Sequence, residues 1–264
     1  MKIIAKPVLT ILMVASAMAS MTAMADTGKI RFGLEALYPP FESKSPTGQL
    51  QGFDIDLGNA VCQAASVKCE WLDTSFDSLI PALQSRKFDA INSAMNVTEK
   101  RRQAIDFTHV IYRVPTKLIA HANSGLLPTS ELLKGKSVGV LQGSIQESYA
   151  NAHWAKQGVK VVAYQDQNQI YMDLTSGRLD STLVLAPAGQ SGFLSQPQGK
   201  GFAFVGPAVT DETILGSGIA FGIRKGDDSL KQRLNDAIAK VKAQGTVTTL
   251  AHKYFGDIDV SAPE

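Results

Sequence analysis

Histidine, tryptophan and cysteine are scarce in this chain: four, two and two among 264 residues. Two cysteines exclude a disulfide-dense miniprotein, and they show no C-x-x-C spacing for a redox or zinc pair. His109, His121, His153 and His252 are scattered, with no H-E-x-x-H and no paired ligand spacing. There is no P-loop, no G-x-G-x-x-G and no G-x-S-x-G; Gly143-Ser144 runs on into Ile145-Gln146 and makes no nucleophile elbow. Asp54-x-Asp56 reads as a helix start rather than a metal site. Catalysis, metal and cofactor therefore have no motif behind them. Excess charge is missing too. The formal net charge is +2, and without Lys2 and Lys6 the chain carries 24 residues of each sign. That balance gives no reason to expect nucleic acid or an anionic membrane surface as partner.

What is present is enough apolar residue for a packed core, 44% of the chain, with 19% charged residues, which excludes disorder. The one long apolar run lies at the start. Lys2 and Lys6 precede it, residues 8–19 are apolar apart from Thr10 and Ser16, and Ala23-Met24-Ala25 closes it. The run is short for a membrane span and ends in an A-x-A site, so residues 1–25 read as an export signal cleaved after Ala25. No cysteine follows that would take a lipid anchor. The mature chain is expected to be exported, without inserting in a membrane. In an oxidising compartment Cys62 and Cys69 are expected to pair, bridging a helix end to a strand near residue 69.

Strands alternate with helices along the mature chain. The pattern predicts strands at 29–34, 67–72, 88–91, 136–141, 159–164 and 179–185. Helices are expected from Asp54, as N-cap, through Ala64, and at 76–84, 99–104, 144–157, 167–175, 229–243 and 247–254. Leu83-Gln-Ser-Arg-Lys-Phe-Asp89 lines up with Leu174-Thr-Ser-Gly-Arg-Leu-Asp180. Each is a helix end, a turn and an Asp opening a strand, an internal echo that points to two similar α/β lobes. Ligands in such folds favour loops at strand ends.

Those loops hold recognition chemistry. Tyr38, beside two prolines, and Phe76, opening a helix, follow strands and are placed either to sandwich a ligand or to pack in the core. Ser93-Ala-Met-Asn96-Val-Thr98 ends a strand, and Arg101 or Arg102 at the next helix start suits a carboxylate.

Gly52-Phe-Asp-Ile-Asp-Leu-Gly58-Asn, Phe76-Asp-Ser-Leu-Ile-Pro81, Val138-Gly-Val-Leu-Gln-Gly-Ser144, Asp173-Leu-Thr-Ser-Gly-Arg-Leu-Asp180 and Lys253-Tyr-Phe255 resemble the periplasmic substrate-binding proteins of ABC importers, in the lysine/arginine/ornithine and histidine group. The resemblance spans about residues 28–256. It implies a bilobal fold, with lobe 1 at 26–112 and 219–264, lobe 2 at 117–209 and hinges at 113–116 and 210–218. It also implies a Cys62–Cys69 disulfide, a monomer, no cofactor, and delivery of a cationic amino acid to a membrane permease. Carried over by position, Arg101 grips the ligand carboxylate, helped by backbone at Asn96 and at Ile145 beside Ser144. Ser93 and Ala94 meet the amino end, Tyr38 and Phe76 stack on the side chain, and Glu35 meets the distal cation. Leu185 stands where the family usually has an acid for the α-ammonium. Ala94 replaces a serine and Ile145 a threonine. Opine-binding relatives also tend to carry Glu and Ala at positions 35 and 94, so an opine-like or other N-substituted arginine derivative is the alternative ligand. Two other classes share the fold: a cyclohexadienyl dehydratase-type enzyme, with Glu35 as general acid, and a receptor sensor domain, which would need a separate membrane partner.

Overall fold

The computed structural model describes residues 28–258 and 260. The expected signal segment, residues 1–25, and its cleavage after Ala25 lie outside the described residues.

Two five-stranded sheets form the architecture, with a small third one of three strands. The first sheet uses β1 (Lys29–Leu34), and the small one uses β2 (Leu37–Tyr38), β3 (Glu42–Lys44) and β4 (Leu50–Gln51). The chain then adds β5 (Lys68–Asp73), β6 (Ala90–Ile91) and β7 (Asp106–Phe107). It crosses to the second sheet for β8 (Thr116–His121), β9 (Ser137–Leu141), β10 (Lys160–Tyr164), β11 (Ser181–Leu185) and β12 (Phe202–Val209), and returns for β13 (Gly222–Ile223). The strand orders are β5-β1-β6-β13-β7 and β10-β9-β11-β8-β12. In each sheet three strands run parallel, and the strand arriving from the other lobe joins antiparallel: β13 against β6, β8 against β11. The two lobes thus have one topology.

The sequence echo has a physical basis in that topology. Asp89 Oδ2 accepts the Arg31 N–H at 3.0 Å, and Asp180 Oδ2 accepts the Ser137 N–H at 2.8 Å. Each aspartate clamps the strand that has a parallel neighbour on both sides, β1 in the first lobe and β9 in the second. The preceding turn takes a positive φ in both copies, at Arg86 and at Gly177. The residue between turn and aspartate lies on a strand glycine: a Cβ on Gly33 would sit 2.3 Å from the Phe88 ring, and one on Gly139 would sit 2.5 Å from Leu179 Cδ1. Any side chain at either glycine would displace the neighbour.

Helix Asp228–Ala243 buries Leu234, Ala237, Ile238 and Val241 in a core shared with Leu57 and Val61 of helix Phe53–Ala64 and with Ala251 and Phe255 of helix Thr246–Phe255. Cys62 and Cys69 form the disulfide, joining the end of the first helix to β5. Three expectations are corrected. The first helix starts at Phe53 with Gly52 as N-cap and no side-chain cap; Asp54 is turned inward and fully buried. The expected 144–157 helix stops at His153, and Ala155–Gln157 is a separate 3₁₀ turn. The 76–84 helix opens as a 3₁₀ turn, Phe76–Ser78, before Leu79–Gln84. Pattern reading also passed over β8 and β12, which carry the antiparallel side of the second sheet.

Candidate functional site

The parallel strands of both lobes end toward a common cleft. From the first lobe come Glu35 after β1, Ser93 and Ala94 after β6, and Phe76 after β5. From the second come Leu141 at the end of β9 with the turn to Ile145 that follows it, and Leu185 at the end of β11. Tyr38, Phe76, Ser93, Ala94, Asn96, Arg101, Ser144, Ile145 and Leu185 all line one narrow cavity between the lobes, together with Leu141 and Gln146. These are nine of the ten residues singled out from the sequence. Glu35 is not in the lining. It lies one hydrogen bond behind it, its N–H donating to Ser93 Oγ at 3.1 Å.

Arg101 is the cationic centre. Thr98 caps its short helix, accepting the Arg101 N–H, and so turns the arginine into the cleft. The residue is 8% exposed. Its guanidinium lies 5.4 Å from the Phe76 ring centre, donates from Nη1 to the Asn96 carbonyl at 2.8 Å, and reaches across the cleft from Nη2 to the Gly143 carbonyl at 3.1 Å. Both bonded partners are neutral, and burial pulls its pKa down to about 10. A buried cation without an anion is costly, and an incoming carboxylate would relieve that cost. Arg102, the other candidate from the pattern, is exposed and packs over Phe107.

On the second lobe Ser144 Oγ accepts the Glu147 N–H at 3.1 Å, and Glu147 accepts the Gly143 N–H at 2.7 Å. This reciprocal capping fixes the Gly143–Ile145 turn. The lobes also meet through Gln142 Nε2 donating to Asp77 Oδ2 at 3.0 Å, and the Leu185 N–H donating to Tyr38 Oη at 3.4 Å. One face of the Tyr38 ring stacks on Phe41.

Three buried carboxyls lie behind the first-lobe wall. Asp54 Oδ2 accepts the Ala94 N–H at 2.6 Å and its Oδ1 accepts from Tyr112 Oη at 2.8 Å. This pins Ala94 in the left-handed region, φ 43°. Glu42 accepts from Ser93 Oγ at 2.7 Å. Burial, with Asp54 close by, holds the Glu42 carboxyl protonated well above the usual range, and burial raises Asp54 to about 6. Glu35 is 3% exposed and its Oε2 has no hydrogen-bond partner. Burial first, then the negative charges of Asp166, Asp73 and Asp77, push it up to about 8. Glu42, Asp54 and Tyr112 were not found from the sequence. The G-F-D-I-D run could have flagged Asp54, which instead suggested a cap.

The arrangement offers a buried cation and a buried acid with an unpartnered oxygen on opposite sides of one wall. It can hold a molecule that is anionic at one end and cationic at the other.

Residues 30–257 match the profile of bacterial extracellular solute-binding proteins, family 3. The chain is 45% identical to the histidine-binding periplasmic protein of Salmonella typhimurium, over 98% of this chain and 99% of that one. It is 46% identical to the lysine/arginine/ornithine-binding periplasmic protein of Escherichia coli K12, over 91% and 92%. Among solved structures, a Salmonella typhimurium periplasmic binding protein described for its high arginine specificity superposes with a TM-score of 0.79, at 31% identity, over 86% of this chain and 99% of that one. With two α/β lobes on either side of a lined cleft, the chain belongs to the bacterial extracellular solute-binding proteins, family 3.

Proposed function

We propose that this protein is a periplasmic binding protein that captures a cationic amino acid, or a close derivative, and hands it to an ABC permease. The observation that carries this reading is Arg101: a buried guanidinium at the lobe junction with only carbonyl partners, in a cavity whose wall hides the unpartnered Glu35 carboxyl. Arg101 takes the ligand carboxylate and Glu35 the distal cation, with Tyr38 and Phe76 against the aliphatic part. The relatives named for histidine and for lysine, arginine and ornithine support the same ligand class.

The cavity has about 20 Å³ of free room in this conformation, little more than one water molecule. An amino acid enters only if the lobes part. We assign that motion to the two connections, 113–116 and 210–218, with residues 1–25 removed on export and the protein acting as a monomer. Ligand then stabilises the closed state by replacing the Arg101–carbonyl contacts with a charged pair, and the permease reads closure. Titration calorimetry on protein stripped by unfolding and refolding tests this. Arginine, lysine, ornithine, histidine and their derivatives are the ligands, and silence with all of them would overturn the reading. The buried Glu35, raised to about 8, also has the protonation of a general acid. Glu35-dependent dehydration of prephenate or arogenate would replace binding with catalysis as the function.

A further inference from the structure

The charges in and behind the cleft narrow the ligand further, and this step rests on the proposed binding of a carboxylate-bearing cation. Among the described residues, the cavity lining holds one charged side chain, Arg101, and no carboxylate. Around Arg101 the wall is apolar on both lobes: Ala94 from the first, Leu141, Ile145 and Leu185 from the second.

Ser93, Ser144 and Gln146 of the lining are already engaged, and Asn96, the polar lining residue with no side-chain hydrogen bond among the described residues, is neutral. Ser93 Oγ donates to Glu42 and accepts from Glu35 N–H. Ser144 Oγ caps its helix, and Gln146 Nε2 donates to Thr116 Oγ1 at 3.1 Å. Of the carboxyls behind the wall, Asp54 uses both oxygens on Ala94 and Tyr112; Glu42 is tied to Ser93 through Oε1, its Oε2 is unpartnered, and full burial keeps it a neutral acid. Of the three, Glu35 alone makes no side-chain hydrogen bond in the described structure, and the distal cation of the ligand takes it. The site therefore supplies one guanidinium and one receptive acid. A free basic amino acid brings one carboxylate but two cations. Its α-ammonium, beside the carboxylate on Arg101, would be closed in against Leu185, Ala94 and Ile145 with no carboxylate to meet it.

We infer that the preferred ligand has one carboxylate and one distal guanidinium or ammonium but no charged nitrogen at the α-carbon, and that Leu185 sets this preference. An ω-guanidino or ω-amino acid fits, as does a basic amino acid whose α-nitrogen is acylated.

The test is titration calorimetry with arginine, Nα-acetylarginine and 5-guanidinopentanoate, which is arginine without its α-ammonium. The wild-type protein binds 5-guanidinopentanoate at least 10-fold more tightly than arginine, and Leu185→Asp moves that ratio at least 10-fold toward arginine. Equal affinities, or tighter binding of arginine by the wild type, would overturn this inference and leave the binding-protein reading standing. If neither these compounds nor lysine, ornithine and histidine bind, the reading itself fails and this inference with it. The wild-type comparison decides the question even if Leu185→Asp does not fold.

Discussion

Ligand capture should expel a proton from Glu35. In the ligand-free protein its carboxyl is raised to about 8, chiefly by burial and then by Asp166, Asp73 and Asp77. Asp73 is itself paired with Lys44, and Asp77 is bonded to Gln142. At pH 7 such a group is ionised about one time in eleven. A distal cation stabilises the ionised form, so binding at pH 7 releases about 0.9 proton. The cost of ionising it first is about 1.4 kcal/mol at pH 7 and about 2.7 kcal/mol at pH 6. Affinity should therefore rise about 10-fold from pH 6 to pH 7 and level off above about pH 8. The assay is calorimetry at pH 7 in phosphate and in Tris, whose ionisation heats differ; the difference in measured enthalpy counts the protons. Arginine and 5-guanidinopentanoate both carry the distal cation and serve as probes. Glu35→Gln should bind more weakly at pH 8 and exchange no proton. No proton release by the wild type, or the same release by Glu35→Gln, would refute the role given to Glu35. The stability of the empty protein runs the other way with pH. Glu35 holds its proton in the folded state through the range in which the unfolded chain has lost it, so stability falls as pH rises from about 4.5 through about 8. Glu35→Gln should flatten that fall.

Arg101→Ala should abolish binding of every carboxylate ligand, at least 100-fold by calorimetry, while circular dichroism shows a folded chain; retained affinity would remove Arg101 from the carboxylate site. Ala94→Gly relieves a left-handed alanine, φ 43°, and should raise unfolding stability by about 1 kcal/mol in denaturant titration; a loss of stability would show that the left-handed backbone at Ala94 is not strained. Asp77→Ala removes the bond to Gln142 that joins the lobes and should weaken ligand binding a few-fold through faster release in stopped-flow, with little change in the thermal midpoint of the empty protein. Opening the Cys62–Cys69 disulfide with reductant should lower unfolding stability by roughly 2–3 kcal/mol, from the short loop it closes.

The cleft was legible where chemistry and strand ends coincide. Tyr38, Ser93, Asn96, Ser144 and Leu185 follow or end strands, and strand ends are where this topology gathers residues. Arg101 was separable from Arg102 only by resemblance, because neighbours on a four-residue helix carry no periodicity that tells inward from outward. Asp54 was misread for a physical reason. An aspartate before an apolar helical stripe has the pattern of an N-cap, and only the fold shows that Gly52 takes that place, where a Cβ would sit 2.3 Å from the Phe41 carbonyl oxygen. Glu42 and Tyr112 gave no signal, since buried acids without cationic partners follow no sequence rule. The internal echo proved structural, because its aspartates clamp equivalent strands, β1 and β9. Strands β8 and β12 were missed because one is a short apolar run with no alternation and the other contains Gly206 and Pro207.

The proposed ligand places a carboxylate on Arg101 and a cation on Glu35 within this cleft. Thermal unfolding of the stripped protein tests it directly, with arginine, lysine, ornithine, histidine and 5-guanidinopentanoate each added in turn. A ligand at one hundred times its Kd stabilises by about 2.7 kcal/mol, which for a chain of this size raises Tm by roughly 5–10 °C. At least one of these compounds should produce such a rise in the wild type, and none should in Arg101→Ala. No rise with any of them, or an equal rise in Arg101→Ala, would contradict that placement.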